Sequence, residues 1–211
     1  MKPFTKNLQK GSIGPDVYDL QVCLEKLGYG DFVPTGVFGT KTQNAVAKFQ
    51  KHSGLTPAVG YFGQGTRAKM NAHFFPRKDT LWATAVSLIG VDASPLDRAD
   101  DEYGCADTVN VIHQVAFGFE IGGSTQTKEM VKYLRANTDR FERVYSPQAG
   151  DIIISPTEYP KVGHVGIMYD NNIIMSNSSS SGTWEKNYNL DTWRERYVTR
   201  FKLKLEFFRL K

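Results

Sequence analysis

Cysteine is scarce in this chain: 211 residues contain two, Cys23 and Cys105. A small secreted disulfide scaffold carries more cysteines in a shorter chain, so a disulfide framework is not the expected organisation. The two cysteines and four scattered histidines offer no ligand pair at the short spacing of a zinc site, so neither a metal nor a cofactor is expected. No run approaches the roughly 20 apolar residues of a membrane span, and no membrane insertion is expected. The opening Met1-Lys2-Pro3-Phe4-Thr5-Lys6-Asn7-Leu8 lacks the apolar segment of a secretory signal. Unless a leader has been removed, the chain acts where it is made or crosses a membrane by other means.

What is present is ordinary for a globular protein: 40% of residues are hydrophobic, and the length suits one or two domains. The net charge of +4 is unevenly spread. Residues 1–75 carry nine basic and four acidic side chains, and the remaining 136 residues carry 17 and 18. A basic first third suits a polyanionic surface such as a bacterial wall or a nucleic acid, or is simply a solvated face. The lysines are dispersed along helices without interleaved aromatics, which ranks nucleic acid last.

A change of composition over Asn71–Thr80, with Pro76 and the charges after it, reads as a short linker, giving domains 1–75 and 76–211. In the first, Gly14-Pro15-Asp16 is a helix start followed by Val17, Leu20, Leu24 and Leu27 at helical spacing, with Gly28 as the stop. Cys23 lies beside that stripe and reads as core. Thr40-Lys41-Thr42-Gln43 has the form of a capping box before Ala45, Val46 and Phe49. A short repeat, Gly36-Val37-Phe38-Gly39-Thr40-Lys41-Thr42 and Gly60-Tyr61-Phe62-Gly63-Gln64-Gly65-Thr66, reads as two tight turns, each feeding a helix. A third helix is expected over Thr66–Ala72. The outcome is a small three-helix bundle without evident chemistry.

These stretches, Val17-x-x-Leu20-Gln21-x-x-Leu24-x-x-Leu27-Gly28-Tyr29 and Gly36-Val37-Phe38-Gly39-x-x-Thr42-x-x-Ala45-Val46-x-x-Phe49-Gln50, resemble the three-helix peptidoglycan-binding domain found beside many wall hydrolases. The resemblance spans residues 8–72 and implies a groove for peptidoglycan stem peptide. Tyr29, Phe38, Tyr61 and Phe62 are the aromatic candidates for ligand contact, with core packing as the competing role.

Beyond the linker, helices are expected over Leu81–Gly90, from Cys105 with Ala106, Val109, Ile112 and Ala116 on one face, and over Ser124–Asn137 with a cap at Ser124 or Thr125. Residues 91–104 read as an acidic loop. Strands are expected at Asp151–Ser155, Val162–Tyr169 and Ile173–Asn177, the last two joined through Asp170-Asn171-Asn172, and along Tyr197–Phe208, where basic and apolar residues alternate. Helices followed by an antiparallel sheet give an α+β class.

Chemistry concentrates on Cys105. A nucleophilic cysteine needs a lowered pKa, some exposure and a base. A helix start supplies free backbone N–H groups and a favourable dipole for a thiolate, and the same groups can hold an oxyanion. Tyr103 and Gly104 precede it, and Gly104 leaves room for substrate. The competing role is a buried helix cysteine. His52 and His73 lie at a helix end and in the linker, and His113 is two turns along the helix of Cys105. His164 remains as the base, in Val162-Gly163-His164-Val165-Gly166-Ile167, where small neighbours suggest open space. A two- or four-residue turn around Asp170-Asn171 places His164 opposite Asn177, which would hold the imidazole tautomer. A three-residue loop would shift the register and bring Ser176 into competition.

Gly104-Cys105-Ala106-Asp107, Gly150-Asp151-Ile152-Ile153-Ile154 and Gly163-His164-Val165-Gly166-Ile167 together resemble the papain-like wall hydrolases of the NlpC-type and CHAP families, over roughly residues 80–208. The departures are Gly104-Cys105-Ala106 in place of Asp-Cys-Ser, and Ser176 or Asn177 where a histidine is frequent. The two resemblances imply a monomeric wall lysin of phage-endolysin type, with bacterial peptidoglycan as partner and the cell wall as its place of action. Cys105, His164 and Asn177 would be catalytic, and Tyr103, Gly104 and Ser176 would line the substrate site. The rival readings are a non-catalytic wall-binding phage structural protein and an acyltransferase or transpeptidase on the same fold.

Overall fold

A computed structural model describes residues 1–92 and 104–211. The expected acidic loop over 91–104, and Tyr103 with it, therefore lies almost wholly outside the described residues. The chain divides into two compact units, residues 1–75 and 76–211.

The first unit contains α1 (Pro15–Lys26), α2 (Thr40–His52) and α3 (Gln64–Phe74). Val17, Leu20, Cys23, Leu24, Phe38, Val46, Phe49 and Phe62 share one buried core, as the helical spacing requires. The two repeated turns are held by one device used twice. The buried Gln21 carboxamide donates to the Val37 carbonyl and Thr42 Oγ1 and accepts from the N–H groups of Thr35 and Gly36. Gln50 does the same, donating to the Tyr61 carbonyl and Thr66 Oγ1 and accepting from Gly60 N–H. Gly36 and Gly60 adopt φ of 74° and 77°, the left-handed region that favours glycine. The expected capping box at Thr40 does not form: Thr40 is already the first helical residue, Gly39 is the N-cap, and no side chain caps α2. Phe38 and Phe62 are core, whereas Tyr61 is exposed.

The second unit opens with α4 (Arg77–Ser87), so only Phe75 and Pro76 separate it from α3; the expected linker is largely helical, and His73 belongs to α3. Then follow α5 (Cys105–Phe117), α6 (Thr127–Ala136), β1 (Phe141–Val144), β2 (Ile152–Ser155), β3 (His164–Met168), β4 (Ile173–Asn177), β5 (Trp184–Asn189), α7 (Leu190–Trp193) with a π-helical continuation over Arg194–Arg200, and β6 (Glu206–Leu210). The α6 N-cap is Gln126, not Ser124 or Thr125, and it makes no side-chain cap bond. The strands form one antiparallel sheet in the order β1-β6-β2-β3-β4-β5. This is the α+β architecture expected.

The sheet is covered on both faces, which explains the three isoleucines of β2. Ile152 and Ile154 pack with Leu81, Val109, Ile112 and Leu134 of the helices, while Ile153 faces Trp193, Tyr197 and Leu203. The strand expected over Tyr197–Phe208 is present only from Glu206. Trp193, Tyr197 and Phe201 recur every four residues, a helical stripe. Burial of Trp193 and Tyr197 on the second sheet face wins over the alternation. Among the described residues no helix is long and apolar enough to cross a membrane.

Candidate active site

Cys105 is the first residue of α5, with Gly104 as N-cap. Ala106, Val109, Ile112 and Ala116 are buried against the sheet, which fixes the helix and points its first turn at β3. The backbone N–H groups of Cys105, Ala106 and Val165 favour the thiolate, but burial outweighs them and pushes the thiol up to about 11. The lowered pKa expected from the helix N-terminus is thus overturned by desolvation: Cys105 rests as a neutral thiol, 6% exposed.

His164 opens β3 and is packed among rings. The Tyr197 ring stacks on it at 5.5 Å, with Trp193 at 5.2 Å and Tyr188 at 5.8 Å. Gly163 and Gly166 do not create open space around it. A Cβ on Gly163 would collide with the Ser155–Thr157 backbone, and one on Gly166 with the Met175 carbonyl and Ser176 Cβ. Burial first, and then the Arg196 charge, depress the imidazole to about 3, against the pull of the Asn177 carbonyl. It is a neutral base at rest.

The hairpin that presents His164 differs from the even turn expected. Tyr169 N–H bonds to the Ile173 carbonyl, leaving Asp170, Asn171 and Asn172 as a three-residue loop. Asp170 Oδ1 accepts from the N–H groups of Asn172 and Ile173, an Asx turn that sets this length. Ile167 consequently pairs with Met175 and Met168 with Ile174, one residue away from the register that would oppose His164 to Asn177. Ser176, on the same face as His164, takes the contact instead: His164 Nε2 and Ser176 Oγ are 2.9 Å apart.

The contact continues. Ser176 Oγ donates to Asn187 Oδ1 at 2.7 Å, and Asn187 Nδ2 donates to the Asn177 carbonyl at 2.9 Å. Since Nδ2 must face a carbonyl, the Asn187 amide cannot be flipped. Ser176 therefore spends its one proton on Asn187 and accepts from His164, so the ring proton sits on Nε2 and Nδ1 is the unprotonated nitrogen. Asn187 reaches this position through an irregularity. Ile174 pairs with Tyr188 and Met175 with Lys186, so Asn187 is the extra residue of a β-bulge, a device that re-aims a side chain. Asn187 was invisible in the sequence, because a bulge leaves no local signature in Lys186-Asn187-Tyr188. The aromatic wall was signalled only by the spacing of Trp193 and Tyr197.

Cys105 and His164 line one cleft of about 460 Å³, with Thr125, Gln126, Lys128 and Tyr159 on its walls. Ser176 and Asn177 are both buried; Asn177 joins the chain through its carbonyl. Gly104 is buried at the helix start. His113 is remote from this cleft: its Nδ1 bonds to the Phe119 carbonyl at 2.8 Å, among the rings of Phe117, Phe119 and Phe141. Among the described residues no group of three or more His, Cys, Asp or Glu side chains could hold a metal ion.

Among solved structures, the chain is similar to one in the type VI native effector–immunity complex Tae3–Tai3 from Ralstonia pickettii, with 19% identity over 62% of this chain and 96% of that one, and a TM-score of 0.41. Residues 13–70, nearly the whole helical part of the first unit, match the family described as "Putative peptidoglycan binding domain".

Proposed function

We propose that the chain is a peptidoglycan hydrolase: the first unit holds the wall polymer and the second cleaves an amide in it through a Cys105 acyl-enzyme. The reading is supported chiefly by one observation, the opening of Cys105 and His164 into a common cleft, with the His164 tautomer held by Ser176 and Asn187. The match of residues 13–70 supports the choice of polymer.

Both groups rest neutral, so the thiolate forms during attack. Cys105 Sγ bonds to the amide carbonyl carbon as its proton passes to His164 Nδ1. The N–H groups at the start of α5 hold the oxyanion. The C–N bond breaks, and the leaving amine takes the proton from Nδ1. Water then attacks the thioester, giving its proton to Nδ1; the C–S bond breaks, the carboxylic product leaves, and Nδ1 returns the proton to Cys105 Sγ. Ser176, in place of the Asn177 side chain, is the orienting partner. On this reading the chain acts at the bacterial cell wall, as a phage-type endolysin would, through a papain-like domain of NlpC or CHAP type.

Mass spectrometry of purified sacculi after incubation tests this. New amine and carboxylate ends are expected with the wild type. Cys105→Ala should sediment with sacculi while releasing none. Release of the same fragments by a folded Cys105→Ala protein rules the mechanism out.

A further inference from the structure

The cleft does not stop at His164. Past Gly163 and His164 it continues as a second arm of about 560 Å³, bounded by Ser178–Ser180 after β4, by Asn187 and Tyr188 of the bulged strand, and by Arg196. Cys105 lines only the first arm, whereas His164 lines both, so the second arm adjoins the first across the imidazole. Neither arm has a carboxylate among the described residues, and the first has one cationic side chain, Lys128, where the second has two, Lys161 and Arg196.

Arg196 is held in place rather than left to wander. Its Nη1 donates to Tyr188 Oη at 2.9 Å, and the guanidinium lies 5.6 Å from the Tyr197 ring centroid. Both rings also contact His164. Neighbouring Glu195 does not line the second arm; it lines a further depression together with Arg196 and Arg200. Among the described residues no carboxylate comes within ion-pairing distance of Arg196. One N–H serves Tyr188, which leaves most of the guanidinium fork for a ligand. A fixed fork with unused N–H groups is suited to a carboxylate, which it can take through two parallel hydrogen bonds.

We propose that the second arm is a carboxylate subsite in which Arg196, assisted by Lys161, binds a free carboxyl group of the peptide whose amide lies over Cys105. This deepens the amide-hydrolase reading and rests on it. An unneutralised guanidinium beside the base is otherwise a burden, since its charge opposes protonation of His164; a bound carboxylate offsets that field at the moment the proton is needed.

The probe is a set of muropeptides from a muramidase digest of sacculi, used with their carboxyl groups intact or converted to carboxamides by carbodiimide coupling with ammonia. Cleavage is measured for the wild type, Arg196→Gln and Arg196→Lys, and binding by calorimetry for Cys105→Ala and Cys105→Ala/Arg196→Gln. Amidation is expected to lower wild-type kcat/KM about tenfold, with most of that sensitivity lost in Arg196→Gln and partly kept in Arg196→Lys. The affinity of Cys105→Ala should fall on amidation in the same proportion. Equal sensitivity of wild type and Arg196→Gln to amidation overturns the subsite, as does a Cys105→Ala protein that binds both forms alike. Binding that depends on carboxylate and Arg196, without cleavage of either form by the wild type, keeps the subsite and discards the hydrolase.

Discussion

His164 Nε2 meets Ser176 Oγ at 2.9 Å because the β3–β4 loop has three residues, not two or four. That single residue turns the Asn177 side chain away from the imidazole face and brings Ser176 onto it, since side chains alternate along a strand. Ser176→Ala is expected to lower kcat about tenfold with little change in KM, the loss of one hydrogen bond that fixes the base in the transition state. Asn187→Ala should lower kcat less, as Ser176 then keeps His164 but loses its own acceptor. Steady-state kinetics on soluble muropeptides decide this; a silent Ser176→Ala would show that the contact orients nothing.

Cys105 and His164 are both neutral at rest, the thiol pushed up to about 11 and the imidazole down to about 3. An ion pair would alkylate at a constant rate from mildly acid pH upward. Here the rate of Cys105 alkylation by iodoacetamide should still be climbing between pH 7 and 9, with His164→Ala showing nearly the same profile. A plateau already reached at pH 6 would mean a preformed thiolate–imidazolium pair.

Buried histidines also set the acid limit of the fold. Burial depresses His113 to about 4, helped by Arg77 and Arg140, and His164 to about 3. Below their ordinary value near 6.5 the unfolded chain takes up protons that the folded chain refuses. Stability is therefore complete above pH 6.5 and falls as pH drops, with a limit of about 1.4 kcal/mol per pH unit per ring. The loss levels off as each buried ring itself protonates. Urea midpoints at pH 7, 6 and 5 should show this decline, and His113→Gln should flatten it. An unchanged slope in that variant would remove His113 from the account.

Asp151, fully buried, pairs with Arg209 through both oxygens at 2.8 and 2.7 Å and accepts from Gln148 N–H at 2.7 Å. The Gly150-Asp151 pair is thus a brace between the β2 entry and β6, not part of the cleft. Arg209→Met strands a buried carboxylate and is expected to cost about 3–5 kcal/mol, read from urea unfolding. A cost below about 1 kcal/mol would mean that water reaches Asp151.

The sequence by itself determined the elements whose residues carry their own periodic or boundary signal. The stripes of α1 and α2, the paired glycine turns, the α5 start at Cys105 and the β2 isoleucines were all legible, because burial of one face dictates spacing within a single segment. The cleft residues Cys105 and His164 could be picked out as chemical types, though not their protonation, which depends on how deeply neighbouring elements bury them. Tertiary structure alone decided the partner of His164. That choice rests on an Asx turn lengthening a hairpin by one residue and on a bulge placing Asn187 behind Ser176, energies of a few hydrogen bonds that no pattern of apolar residues encodes. It also decided the fate of the segment after Trp193. Its alternation and its four-residue spacing point to different structures, and the uncovered second face of the sheet settled the conflict by burying Trp193 and Tyr197 from a helix.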